Sequence, residues 1–137
     1  MVIERGTSGR HEVALTFDAG SDVGYAVEIL DLLAAERIRA SFGITGEWAQ
    51  EHPELVVRMA AEGHLLMNHT QTHPSMTQLS TADRLAELEA ADAVVTANTG
   101  HTMRPWFRPP FGDSDASVLV DVALAGYRYS VTWTIDS

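Results

Sequence analysis

The chain has 137 residues and is 45% apolar, long enough to bury a core of its own and too short to suggest two domains. Nineteen acidic against nine basic residues give a net charge of −10, a surface that repels phosphate backbones and argues against nucleic acid as a partner. No apolar run approaches the ~20 residues that cross a bilayer, the N-terminus has neither a basic nor an apolar signal region, and the absence of cysteine and lysine removes thiolate and Schiff-base chemistry.

In chain order, residues 13–17 (VALTF) read as a strand, followed by a helix over 25–36 in which Val27, Ile29, Leu30, Leu33 and Ala34 recur near helical spacing. Residues 40–44 form a second strand. Residues 48–61 give one or two helical pieces, with Pro53 suited to a first turn and Gly63 closing the segment. A third strand covers 64–68. Ser80 is an N-cap for a helix through Leu85, Leu88 and Val95 that closes near Gly100. Residues 105–107 make a short fourth strand, 114–125 a helix ended by Gly126, and 127–135 a fifth strand. This alternation implies a parallel α/β sheet, open or rolled into a barrel, with its site beyond the carboxyl ends of the strands.

The strand ends carry a set of groups that belong on one face. LTFDAGSD carries Asp18 and Asp22, NHTQTHP carries His69 and His73, FRPPFGD carries Arg108, and WTIDS carries Trp133 and Asp136. Two histidines at i and i+4 point at one cation if the segment makes a single helical turn, or are simply surface histidines of a polar loop. Asp18 alone is a turn-forming acid, Arg108 a structural arginine whose loop the adjoining prolines fix, and Trp133 a packing residue. Their common level above the strands favours a shared site. His11, His52, His64 and His101 are assigned no role.

Together these segments resemble the polysaccharide deacetylase family, the NodB-homology carbohydrate esterases. ALTFDAG is similar to that family's TFDDG motif, NHTQTH to its H-[ST]-x-x-H motif, FRPPFG to its RPPYG motif, and WTIDS to the start of its fourth. The resemblance implies an irregular (β/α) barrel, of which residues 1–137 read as an incomplete N-terminal portion. It further implies metal-dependent removal of acetyl groups from an N- or O-acetylated glycan such as peptidoglycan or chitin, and a secreted or cell-envelope setting. Carried over by motif, Asp18 would be the general base and His69 and His73 the ligands of a divalent metal, zinc by its donor set. Arg108 would hold Asp18 in place, the backbone N–H near Phe111 would meet the oxyanion, and Pro110 and Trp133 would line the substrate groove.

Two departures accompany the resemblance. The family's second Asp, its third metal ligand, is replaced by Ala19, and the late histidine that protonates the leaving group would lie beyond residue 137. The expectation is therefore weak activity from these residues alone. Asp22 is the nearest acid able to replace the missing ligand, returned by a loop in which Gly20 permits φ > 0. The alternatives are that Asp22 caps the helix after it or that Asp18 itself ligates. Two other functions stay open: an amidohydrolase of the same superfamily acting on a small cyclic amide, and a non-catalytic carbohydrate-binding relative.

Overall fold

The computed structural model describes residues 1–7, 9, 11–20 and 22–136, so that Ser21 of LTFDAGSD and Ser137 of WTIDS fall outside the description. Among these residues six strands, β1 (Val2–Ile3), β2 (Thr16–Ala19), β3 (Ser41–Ile44), β4 (Leu65–Asn68), β5 (Trp106–Phe107) and β6 (Tyr129–Val131), form one sheet. Among the described residues five α-helices lie between β2 and β6: α1 (Ala26–Glu36), α2 (Gly46–Glu51), α3 (Pro53–Ala61), α4 (Thr81–Thr99) and α5 (Ala116–Leu124). Every pairing is parallel and the order is β1-β6-β5-β4-β3-β2. From β2 to β6 each strand lies beside its sequence neighbour, with no reversal of winding. That is the order of a (β/α) barrel and not of a doubly wound sheet, and it leaves β1 and β2 at the two ends.

Helix ends obey local chemistry. Ser80 accepts from the Asp83 N–H and Gly100 closes α4 at φ 76°, both as expected. The segment 48–61 is two helices, because His52 breaks from helical geometry and Pro53 starts α3, where its missing N–H costs nothing. The last helix begins at Ala116, capped by Asp115, whose carboxylate takes the Val118 N–H at 2.9 Å. The core lies between these helices and the sheet. Leu30, Ile44, Trp48, Val56, Met59, Ala91 and Val95 are sealed on one side, and Met76, Leu88, Phe107, Val118 and Tyr127 form a second cluster. Each large apolar side chain so buried stabilises the fold by about 1.5–3 kcal/mol.

Strand limits are where the sequence misleads. The strand expected at 13–17 runs instead over Thr16–Ala19, since Val13 is 88% exposed and Leu15 41% exposed beside the sheet's end. Asp18 therefore sits inside β2 instead of after it. The strand expected at 127–135 shrinks to Tyr129–Val131, leaving Ile135 exposed. The two-residue β1, paired to β6, is too short for any periodicity to reveal.

Candidate active site

Strands β2, β4 and β5 bring four of the expected residues together at their carboxyl ends. Asn68, the last residue of β4, is fully buried and organises the histidine loop beyond it. Its Nδ2 donates to the Leu88 carbonyl at 2.8 Å and to the Tyr127 hydroxyl at 2.7 Å, and its Oδ1 accepts the Thr70 N–H at 2.9 Å. With both amide protons and the amide oxygen engaged, the chain leaves the strand along one path. That path is not the helical turn the i, i+4 spacing suggests. Thr70 and His73 both take left-handed backbone, at φ 70° and 60°, and the His73 N–H donates to Thr70 Oγ1 at 3.1 Å. Left-handed geometry at two non-glycine residues is costly and marks a loop held for a purpose.

The result still converges the imidazoles. His69 Nε2 and His73 Nε2 stand 3.1 Å apart. His69 is 2% exposed, and its Nδ1 donates to the Arg108 carbonyl at 2.8 Å. A carbonyl can only accept, so the proton is on Nδ1 and the lone pair on Nε2 faces the site. Burial holds His69 below its ordinary pKa, keeping the ring neutral, with the Asp18 charge opposing that shift. Arg108, equally buried, donates from Nη1 to Asp18 Oδ1 at 3.0 Å, and Asp18 Oδ2 lies 3.8 Å from His69 Nε2. Asp18, Gly20, His69 and His73 line a cavity of about 220 Å³.

The remaining candidates are placed differently. Phe111 is 68% exposed, holds φ 59° and sets its ring edge-on to His73 with centroids 4.5 Å apart, at the cavity rim. Pro110 is buried in the short turn it begins. Trp133 lies over Arg108, 5.6 Å from ring centroid to guanidinium carbon, and against Gly112; it covers the arginine and does not line the cavity. Asp22 is not brought to the histidines. Its backbone carbonyl accepts from Trp48 Nε1 at 2.9 Å, and one carboxylate oxygen turns back on Gly24, 3.2 Å from where a Cβ would stand. Nor does it cap α1, whose N-cap is Tyr25 without a side-chain bond. The positive φ expected at Gly20 occurs at Gly24, and Gly20 instead lets Thr45 and His73 approach, 3.1 and 4.0 Å from its absent Cβ.

Asp113 was not foreseen. Its Oδ2 accepts from the Ser75 hydroxyl, from Thr77 Oγ1 at 2.7 Å and from the Thr77 N–H at 3.3 Å, joining the histidine loop to the Phe111 loop. These donors hold its carboxyl below the usual range, Ser75 most of all.

The two histidines suit a divalent cation. Their separation is close to the ~3.3 Å between two nitrogens each bound ~2.0–2.1 Å from a tetrahedral ion, and the tautomer of His69 presents the correct nitrogen. Among the described residues no three His, Cys, Asp or Glu side chains are grouped to hold a metal. Ala19, at the position where the resemblance places a third ligand, packs against the core.

A parallel sheet of barrel order here presents a carboxylate, two imidazoles and a buried arginine at its strand ends. The family model for Polysaccharide deacetylase matches residues 5–130, and the chain belongs to that family. Peptidoglycan-N-acetylmuramic acid deacetylase PdaA of Bacillus subtilis is 34% identical over 95% of this chain and 49% of its own length. The solved structure of that protein, a family 4 carbohydrate esterase, superposes with a TM-score of 0.91 at 31% identity, covering 98% of this chain and 57% of the solved one. A chitooligosaccharide deacetylase of Sinorhizobium fredii is 36% identical over 98% of this chain and 62% of its own length. A family 4 pseudoenzyme from Bacillus anthracis also superposes, with a TM-score of 0.90 at 26% identity over 99% of this chain and 48% of its own. The chain thus spans about half to three-fifths of the length of these relatives. No helix among the described residues is long and apolar enough to cross a membrane.

Proposed function

We propose that this chain carries the general base and the metal ligands of a hydrolase that removes acetyl groups from an acetylated glycan of the peptidoglycan or chitin type. The observation that carries the reading is the convergence on one cavity of Asp18 Oδ2 and two imidazole Nε2 atoms, with Asp18 Oδ1 held by Arg108. His69 and His73 would hold a divalent ion, and zinc suits two neutral imidazoles where no thiolate is present. The chemistry such an ion supplies when bound is polarisation of the acetyl carbonyl and activation of water.

The protein's own groups perform the rest. Asp18 takes the proton of the attacking water on Oδ2, because Oδ1 is engaged by Arg108. The Arg108 carbonyl keeps the His69 lone pair aimed inward. The Phe111 N–H is the donor assigned to the oxyanion, and the exposed Phe111 ring offers an apolar face to a sugar. The names of the Bacillus subtilis and Sinorhizobium fredii relatives support a glycan substrate, though they differ in which glycan.

A second reading, glycan binding without turnover, is favoured by one observation, the apolar Ala19 at the place of the third ligand. Incubating the zinc-loaded protein with an acetylated chito-oligosaccharide and with peptidoglycan, and measuring acetate, separates the two. Acetate release that is lost in the His69→Ala, His73→Ala double variant together with bound zinc is the expected result. Glycan binding with no acetate from either substrate would establish the second reading, and equal zinc retention by the double variant would remove the metal assignment.

A further inference from the structure

Glycine in the interior of a strand weakens it and often marks a place where something must approach closely. β3 carries one, Gly43, between the buried Phe42 and Ile44, and register sets it directly beside Asp18 on one side and Met67 on the other. A Cβ on Gly43 would stand 2.5 Å from Asp18 Oδ1 and 3.4 Å from Arg108 Cδ. The first separation is well inside van der Waals contact, and the atom struck is the oxygen that accepts from Arg108 Nη1.

The guanidinium has little room to retreat. Arg108 is 2% exposed, its N–H is bonded to the Asn68 carbonyl, its own carbonyl holds His69, and Trp133 lies over it. The Asp18 side chain is 36% exposed and is the freer partner. We infer that Gly43 is a positioning residue: the space left by its missing side chain is where the Asp18 carboxylate crosses β3 to meet Arg108, and a methyl group there turns the carboxylate off the guanidinium. This deepens the proposed function, resting on it only in taking Asp18 as the base.

A double-mutant cycle between Gly43→Ala and Asp18→Ala tests the inference through thermal stability and turnover. Gly43→Ala alone should lower Tm by several degrees and kcat on an acetylated chito-oligosaccharide by roughly 100-fold, as misplacing a catalytic group does, with KM little changed. With Asp18 shortened to Ala, the added methyl has nothing to strike, and the same Gly43→Ala step should leave Tm unchanged or raised. Equal loss of Tm in both backgrounds would show that the glycine serves the strand and not the carboxylate, overturning the proposal. So would a Gly43→Ala protein with wild-type Tm and turnover. If Gly43→Ala fails to fold, a folded Asp18→Ala, Gly43→Ala double variant supports the inference and an unfolded one overturns it. Absence of deacetylation throughout would count against the proposed function alone, since the stability cycle reads the same contact without catalysis.

Discussion

The strands that meet at the site do so on unequal terms. β4, between β3 and β5, ends in Asn68 with its amide protons and oxygen all engaged, and the buried His69 next to it is held by a backbone carbonyl. β2, at the end of the sheet, is preceded by the exposed Val13 and Leu15 and presents an Asp18 side chain that is one-third open to solvent. The difference is one of division of labour. On the proposed function, the imidazoles that would hold an ion come from the rigid centre, already aimed, and depend on its folding energy. The proposed base, Asp18, lies at the sheet's end, where its partly open side chain can exchange protons with solvent. The cost is that Asp18 is oriented chiefly by one bond, from Arg108.

Exchanging one residue in each region should make the contrast measurable. Asp18→Asn should keep Tm within a few degrees, because the substituted group is partly exposed and of the same size, yet lower turnover by about 100-fold to 10,000-fold. Asn68→Ala should act through the fold instead. It strands the Thr70 N–H and the Tyr127 hydroxyl, at roughly 1–3 kcal/mol for each buried group left unpaired, and removes a second bond to the Leu88 carbonyl, which lies inside α4. Tm should then fall by about 5–10 °C, with zinc affinity falling alongside as His69 loses its approach. Calorimetry with and without zinc, next to acetate release, reads both. An Asn68→Ala protein of wild-type stability, or an Asp18→Asn protein that melts far below wild type, would dissolve the distinction between the two regions.

The same contrast governs what could be read from the amino-acid order. Central elements were legible: the strands near 40–44 and 64–68 are largely apolar, and α4 announces itself with Ser80 and Gly100. So was the level at which Asp18, His69, His73 and Arg108 meet, because in a parallel sheet all strands deliver their next residues to one end. The outer parts were not. Val13 and Ile135 are apolar and exposed, so patterning extends strands that the sheet does not contain. The histidine loop could not be foreseen as two left-handed residues, since Thr70 and His73 are forced there by hydrogen bonds to Asn68 and within the loop. Gly43 left a signal, a glycine among buried strand residues, but its meaning depends on register, which strand sequences alone do not provide.

The smallest expected effect concerns Asp22, the acid proposed from sequence as a substitute for the missing ligand. Its loop is pinned by the Trp48 indole through the backbone carbonyl, so the path of the chain past Asp22 does not depend on its side chain. Its carboxylate faces Gly24 and lies outside the cavity that Asp18, Gly20, His69 and His73 enclose. To ligate, it would have to turn away from Gly24, while the carbonyl bond to Trp48 holds its own backbone in place. Asn has the same shape, can make the same local turn and carries no charge, so Asp22→Asn isolates the carboxylate's charge from its geometry. Zinc affinity by chelator competition should be unchanged, and stability should stay within the ~0.5 kcal/mol typical of exposed substitutions. A tenfold or greater loss of zinc affinity in Asp22→Asn, with Tm preserved, would mean that the loop does close on the ion and that the sheet's end contributes a ligand as well as a base.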